Sequence, residues 1–320
     1  LFGRLARHLP KGDKRIPTVV DRLLEALSTP SEIVQVAVAD CLPPLIRAMP
    51  EQAEAYMERL YQTLIAHEKY AARRGAAYGL AGVVRGRGLA ALSESGLMQR
   101  LREAALDKKS YQARQGAVFA FETLSSTLGR VFEPYIISII PSLLAAFGDA
   151  NADVREATSD AARVIMSKIS GHCVKQILPL LLEGLEEKQW RTKKGSIELL
   201  GAMAWCAPKQ LSISLPTIIP QLTSVLTDSH AQVRTAANTS LKTFGEVLHN
   251  PEIKRMQPVL LKALADPTSK TGAALTALLG TSFEHYLDSP SLALIMPILD
   301  RGLKERSSDT KRKSVQIVGN

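Results

Sequence analysis

The chain has 320 residues, of which 46% are hydrophobic and 22% are charged, and this composition excludes an intrinsically disordered tail. Its 20 glycines and 17 prolines exclude a collagen-like or low-complexity chain, and no apolar run approaches the roughly 18 uninterrupted residues of a membrane span. The 40 basic and 31 acidic residues give a formal net charge of +9, which favours an acidic partner such as nucleic acid or an anionic surface.

A column of mostly basic residues recurs along the chain at spacings of 37 to 41 residues. Its eight members are Gln35, Arg73, Arg114, Arg155, Lys193, Arg234, Thr271 and Arg312. A small residue lies two positions after each member, at Ala37, Gly75, Gly116, Ala157, Gly195, Ala236, Ala273 and Ser314. Eight rows with one period indicate an internal repeat of about 40 residues.

Each row contains two amphipathic helical patterns separated by residues that break helices. In the fourth row, apolar spacing predicts helices over residues 134–147 and 153–169, and in the sixth row over residues 213–226 and 231–248. No alternating run of β-branched residues predicts a strand. A period of about 40 residues with two antiparallel helices is the signature of HEAT repeats, which stack so that each repeat contacts only its neighbours.

These patterns predict an all-α protein, a right-handed α-solenoid of about eight HEAT repeats. We expect residues 1–320 to form one continuous array within a longer solenoid, without a second globular domain. Residues 1–9 would be the second helix of a preceding pair, and residues 311–318 would begin a helix that continues the array. The small column would let each second helix lie close to its predecessor, because a bulky side chain there would hold the backbones apart.

The recurring basic column is predicted to be structural. In stacked repeats, an arginine near the start of a second helix commonly pairs with an aspartate of the preceding turn. Asp149 and Asp153 lie near Arg155, and Asp228 lies near Arg234, in positions that fit such pairs. The predicted ladder therefore consists of Arg114, Arg155, Lys193 and Arg234. Direct contact with a partner is the alternative.

Motifs for catalysis and for cofactor binding are absent from the sequence. His67-Glu68 could open a zinc-binding H-E-x-x-H motif, but Ala71 occupies the place of the second histidine. No phosphate-binding loop, dinucleotide fingerprint or nucleophile elbow occurs. We therefore expect a protein that is not an enzyme, with no cofactor and no metal site.

The three cysteines indicate a reducing compartment. Cys41, Cys173 and Cys206 are odd in number and far apart, so a disulfide framework is not expected. No signal-peptide pattern opens the chain. We therefore expect a cytoplasmic protein without a membrane partner.

Clusters of basic residues are the candidate binding surface, since phosphate backbones bind such clusters without reading sequence. The candidates are Lys188, Arg191, Lys194, Arg73, Arg74, Arg85, Arg87, Lys108 and Lys109. Among them, Lys188, Arg191 and Lys194 have no periodic reason to be basic, so they are the foremost predicted contacts. Glu186 and Glu187 precede them, and a local salt-bridge network on a solvated edge is the alternative.

Several long segments resemble one protein family. They include QWRTKKGS at 189–196, ELLGAMA at 198–204, CAPKQL at 206–211, YAARRGAAYGLAG at 70–82 and GAVFAFE at 116–122. These segments resemble the central HEAT region of the Gcn-one family of translational activators of general amino-acid control. That region is itself similar to the HEAT domain of fungal elongation factor three. The resemblance covers essentially the whole chain and is weakest before Ile16.

The resemblance implies a function in translational control. Members of the family bind translating or collided ribosomes and pass a starvation or stalling signal to the kinase for the alpha subunit of initiation factor 2. The implied partners are ribosomal RNA phosphate, stalk-region proteins of the ribosome and an ABC-family ATPase, whereas the kinase is bound by a more C-terminal region outside this chain. We therefore expect a non-catalytic, ribosome-binding scaffold segment. The alternative is a protein-binding adaptor such as a nuclear-transport solenoid, although such receptors tend to be acidic and this chain is +9.

Overall fold

The computed structural model describes residues 8–10 and 12–319, and helices without any strand account for the secondary structure of that part. The helix predicted over residues 1–9 falls almost entirely outside the described residues. The chain divides into two compact units, the first ending at Ile169 and the second beginning at Ser170.

The first unit contains four helix pairs in its described part. They are α1 (Arg15–Ala26) with α2 (Glu32–Ala48), α3 (Ala53–Ala66) with α4 (Tyr70–Arg87), α5 and α6 (Ala90–Glu94 and Leu97–Ala105) with α7 (Tyr111–Leu128), and α8 (Glu133–Phe147) with α9 (Ala152–Lys168). Short 3₁₀ turns, Pro50–Gln52 and Gly129–Phe132, precede α3 and α8. The first helix of the third pair is split at Gly96, whose φ of +62° is accessible to glycine without steric cost.

The second unit contains four further pairs in its described part. They are α10 (Gly171–Glu183) with α11 (Trp190–Cys206), α12 (Pro208–Val225) with α13 (Ala231–Phe244), α14 (Pro251–Ala265) with α15 (Pro267–Leu279), and α16 (Ser289–Lys304) with α17 (Ser308–Gly319). A 3₁₀ turn, Gly245–Val247, follows α13. The predicted all-α class is confirmed, and the predicted helix over 311–318 is α17. That the whole chain forms one continuous right-handed array remains a prediction.

The predicted helix boundaries are closest where turn residues mark them. In the fourth pair, α8 and α9 each begin one residue before the predicted start. In the sixth pair, α12 begins at Pro208 instead of residue 213, because proline at the first helical position lacks an N–H that would need a partner. The predicted end of the next helix at residue 248 lies beyond the observed end of α13 at Phe244.

The small-residue column allows backbones to approach closely at Gly75 and Gly116, as predicted, whereas its members Ala37 and Ala273 are exposed. A Cβ added to Gly75 would lie 1.9 Å from the carbonyl oxygen of Leu27, and one added to Gly116 would lie 2.1 Å from that of Leu64. In each case the oxygen belongs to the preceding pair: Leu27 directly follows its first helix, α1, and Leu64 lies within its first helix, α3. At these two positions, only glycine lets the second helix lie directly against the preceding repeat.

Packing between repeats is regular in the first unit and irregular in the second. Second helices pack on one another from α2 to α4, α7 and α9, and α11 packs on α13 in the same way. In contrast, α12 packs extensively on α16, which belongs to the pair after next. The expectation that each repeat contacts only its neighbours is therefore wrong here. The nine-residue link between Leu279 and Ser289 is long enough to carry α16 past the intervening pair.

Among the described residues, one continuous helical segment is long and apolar enough to cross a membrane, and a second candidate, Glu32–Ala48 with Pro50–Ala66, is bent by 115° at its break. The continuous segment is Tyr111–Phe147, which comprises α7, α8 and the 3₁₀ turn between them. Half of its most apolar stretch of 18 residues is buried inside the protein. Since α7 packs on α4 and α9 as a core helix, its apolar character is accounted for by the interior of the first unit.

Candidate partner-binding surface

Members of the basic column bind the turn inside their own repeat. The Nη1 atom of Arg155 donates hydrogen bonds to the carbonyl oxygens of Asp149 and Ala150, at 2.7 and 2.8 Å. In the sixth pair, Nη1 of Arg234 donates to the carbonyl oxygens of Asp228 and Ser229, at 2.6 and 2.9 Å. These guanidinium groups satisfy carbonyls near a helix C-terminus that would otherwise lack partners.

The carboxylates of the same turns bind the preceding repeat. Arg114 donates from Nε and Nη2 to the two carboxylate oxygens of Asp149, at 2.6 and 2.9 Å, and Nζ of Lys193 donates to Asp228 at 2.9 Å. The predicted side-chain pairs of Arg155 with Asp149 and of Arg234 with Asp228 are therefore wrong. Each aspartate instead joins two successive repeats, its carboxylate binding one and its backbone carbonyl the other.

These contacts lower the pKa of both aspartates. Burial acts to raise the pKa of Asp149, but hydrogen bonds from Arg114 and from the backbone N–H of Asn151 outweigh it and leave the pKa below its ordinary value. The pKa of Asp228 is lowered by the backbone N–H of His230 first and by Lys193 second. Both carboxylates consequently stay charged, as their ion pairs with Arg114 and Lys193 require.

Arg73 and Arg74, which were predicted to contact a partner, lie inside the first unit. Arg73 is only 2% exposed and donates to the carbonyl oxygens of His67 and Glu68, both at 2.7 Å, and to the side chain of Gln115. The prediction of a surface contact is therefore wrong for Arg73, because its donors are used within the protein.

Arg74 is bound just as firmly. Its two terminal nitrogens donate to the two carboxylate oxygens of Glu122, at 2.5 and 2.7 Å, and its guanidinium carbon lies 5.0 Å from the centre of the Phe119 ring. The side chain is 12% exposed. Burial acts to lower the pKa of Arg74, but Glu122 more than compensates and raises it. A surface role for Arg74 is excluded on the same ground.

The other candidates of the first unit lie at opposite ends of the second helices. Lys108 and Lys109 are exposed in the turn between α6 and α7, beside the start of a second helix. Arg85 and Arg87 lie at the end of α4, whose 18 residues span about 27 Å. Exposed ion pairs join Arg85 to Asp40 and Arg87 to Glu94, each at 3.5 Å. The structure therefore does not gather these four residues into one patch.

In the second unit, the predicted cluster lies at the start of α11. Lys188 is exposed in the turn before the helix, Arg191 is half-buried, and Lys194 pairs with Glu198 at 3.0 Å. The ion pair of Lys194 thus points along its own helix rather than to the preceding glutamates, 186 and 187. For Lys188, the described part of the chain supplies no ion pair.

Sequence reasoning missed an aromatic stack within this cluster. The Trp190 ring lies parallel to the His230 ring, with centroids 3.9 Å apart and an angle of 9° between planes. The guanidinium of Arg191 lies 4.6 Å from the centre of the same Trp190 ring. His230 is held in place because its Nδ1 accepts a hydrogen bond from the backbone N–H of Gln232 and caps α13. The stack therefore fixes the position of Arg191 at the edge of the unit.

Comparison with known families and proteins agrees with this geometry. A model described as the EF3 N-terminal HEAT repeat matches residues 73–241, and one described as the Elongation factor 3/GNC1 HEAT repeat matches residues 269–320. The chain is 53% identical over its whole length to human "Stalled ribosome sensor GCN1" and 48% identical to "eIF-2-alpha kinase activator GCN1" of Saccharomyces cerevisiae. It is 31% identical over 84% of its length to "Elongation factor 3" of Gonapodya prolifera, of which it covers 25%.

The chain spans 12% of the length of the two GCN1 relatives. Identity to them runs from end to end of this chain, and the first family model covers more than half of its residues. The structure shows the helix pairs that such a HEAT-repeat match requires. The chain therefore belongs to the EF3-type HEAT-repeat family, and it is homologous over its whole length to GCN1 proteins.

Proposed function

We propose that this chain is a non-catalytic scaffold segment that binds the ribosome within a cytoplasmic protein of translational control. That protein would sense stalled or collided ribosomes and promote activation of the kinase for the alpha subunit of initiation factor 2. The observation that carries the proposal is the 53% identity, over the whole chain, to a relative named as a stalled ribosome sensor. Names of relatives from Dictyostelium discoideum and yeast as kinase activators support the signalling part.

The binding surface we propose is the start of α11, with Lys188, Arg191 and Lys194 as the contacts. Their ligand would be ribosomal RNA phosphate or an acidic surface of a ribosomal protein. Lys188 supports this role because it is exposed, and Arg191 because the Trp190 stack holds its guanidinium, whose planar donor fork suits phosphate. Lys194 can exchange its exposed partner Glu198 at little cost, since such pairs contribute only about 0–1 kcal/mol.

The remaining exposed basic residues form secondary surfaces in this proposal. Lys108 and Lys109 occupy the same kind of turn in the first unit as Lys188 does in the second. Arg85 and Arg87 lie at the other end of a second helix and would touch a different element of the partner. Stalk-region proteins of the ribosome and an ABC-family ATPase are the further partners we propose, and the kinase would be bound by a region outside this chain.

Ribosome co-sedimentation over a range of salt concentrations tests the proposal. We expect the triple variant Lys188→Glu, Arg191→Glu and Lys194→Glu to fold normally, to bind ribosomes more weakly and to show a weaker salt dependence. Each lost phosphate contact should reduce the slope of log affinity against log salt by about one. The matched control reverses three other exposed residues of the same unit, Lys175, Lys209 and Arg255, for the same change in net charge.

Three outcomes contradict the proposal. If the folded triple variant co-sediments as the unchanged chain does, the α11 cluster is a solvated edge. If the control variant loses binding equally, net charge alone drives association. Absence of ribosome binding by the unchanged chain, together with capture of protein ligands, would favour the adaptor alternative.

A further inference from the structure

The second unit contains an apolar groove where the regular packing of second helices stops. After α11 and α13, α15 does not continue the stack; it packs mainly on α14, α16 and α17. A groove of about 330 Å³ remains between α13 and α14. It is lined on one side by Leu241 and Lys242, and on the other by Pro258, Leu261, Lys262 and Ala265.

The spacing of these residues makes the groove a match for a third helix. Pro258, Leu261, Lys262 and Ala265 follow i, i+3, i+4, i+7 along one face of α14, and Leu241 and Lys242 lie side by side on α13. Two helix faces of this kind form a channel that accepts side chains of a helix at the same spacing.

The charged residues around the groove favour one kind of helix as its occupant. Lys242 and Lys262 are both exposed, one on each helix, and neither forms an ion pair within the described part of the chain. No carboxylate lines the groove among the described residues. The floor is apolar, with Leu241 and Leu261 only 1% and 9% exposed. An apolar floor between two unpaired lysines is complementary to a helix with apolar side chains on one face and carboxylates beside them.

We propose that this groove docks an acidic amphipathic helix of a partner protein. Apolar side chains of the partner, three or four residues apart, contact Pro258 and Ala265, which lie above the buried Leu241 and Leu261. Carboxylates on its flanks pair with Lys242 and Lys262. The proposal is independent of ribosome binding by the α11 cluster, because the two surfaces share no residue.

The test uses the whole chain and a synthetic peptide probe. The probe is a labelled helix of about 14 residues, roughly four turns, with Leu at i, i+3, i+4 and i+7 and Glu elsewhere. Three control peptides are a scramble of the same composition, a version with Gln for every Glu, and a version with Lys for every Glu. Fluorescence anisotropy gives the affinities, and hydrogen exchange shows whether the probe protects residues 238–242 and 257–265.

Two variants of the chain probe the groove itself. The double variant Lys242→Glu and Lys262→Glu should weaken binding of the acidic probe about tenfold or more. Ala265→Trp should fill the groove and abolish binding without a change of charge. The matched control is the double variant Lys254→Glu and Arg255→Glu, which reverses exposed charges on α14 outside the groove lining and should leave the affinity unchanged.

The proposal is overturned by any of four results. Equal affinity for the scrambled peptide would mean that charge alone attracts the probe. Equal affinity for the Gln peptide would mean that the groove does not select acidic partners. Unchanged binding by a folded Ala265→Trp variant, or equal loss in the control variant, would place the contact elsewhere.

Discussion

Because two repeats are in close contact at Gly116, we predict that its replacement by alanine destabilises the protein. In the Gly116→Ala variant, the new Cβ would lie 2.1 Å from the carbonyl oxygen of Leu64 and 2.9 Å from its carbonyl carbon. Contacts below 3.0 Å do not persist, so α7 must move away from α3 by about 0.9 Å. The obstacle is backbone and cannot rotate away, which puts the overpacking cost near the upper end of about 1–3 kcal/mol.

Helix propensity acts in the opposite direction. Alanine is favoured over glycine inside a helix by about 1 kcal/mol, so we expect a net loss of about 2 kcal/mol in the free energy of unfolding. Urea denaturation measures the total. Hydrogen exchange should show the loss concentrated in α3 and α7, because each repeat of the first unit packs on its neighbours.

Gly272 provides the matched control. It also lies inside a second helix, α15, but nothing stands within 4 Å of an added Cβ. Gly272→Ala should therefore stabilise the protein by about 0.5–1 kcal/mol. If Gly116→Ala raises stability as Gly272→Ala does, the close approach of the two backbones does not determine the packing of these repeats.

Two further predictions concern buried charge. Replacement of Asp149 by Asn should cost about 1–3 kcal/mol at neutral pH, because Arg114 loses its charged partner. Since the folded-state pKa of Asp149 is lowered, its contribution is present above the ordinary pKa of about 3.9 and is lost as the pH falls through the folded value. Urea titrations at several pH values should therefore show the difference between the two proteins shrinking only in acid; a constant difference would contradict the assignment. Glu122→Ala should cost about 3 kcal/mol, the lower end of the range for a broken buried pair, because Arg74 keeps only its 3.3 Å contact with the exposed Glu32. A double variant with Arg74→Met should recover much of that loss in thermal unfolding, whereas additive losses would mean that the two residues act independently.

The repeat architecture could be predicted because its signals are local. Helical periodicity, breakers such as Gly148 and the small column at Gly75 and Gly116 each depend on a few neighbouring residues or on a constant period. The boundaries of α8 and α9 were consequently predicted to within a residue. The family resemblance rested on segments along the whole chain, and the homology to GCN1 proteins confirms it.

Contacts between repeats could not be predicted in the same way. Asp149 lies six residues before Arg155 and 35 after Arg114, and in a structure of period near 40 both arginines come within reach of it: Arg114 binds its carboxylate and Arg155 binds its backbone carbonyl. Arg74 is bound by Glu122, which lies 48 residues away, so no nearby residue in the sequence indicates that Arg74 is buried. Packing of α12 on α16 depends on the path of the link before Ser289, which its composition does not specify.

The two edges of the first unit differ in how firmly they are joined. At the turn edge, Arg114 and Asp149 are joined by two short hydrogen bonds and are 16% and 8% exposed. At the far edge, Arg85 and Asp40 are joined by one long contact of 3.5 Å and are 50% and 67% exposed, an arrangement that contributes about 0–1 kcal/mol. A bending force on the unit should therefore open the far edge first while the turn edge acts as the pivot. The second helices of the first unit are therefore joined firmly along one edge and only loosely along the other.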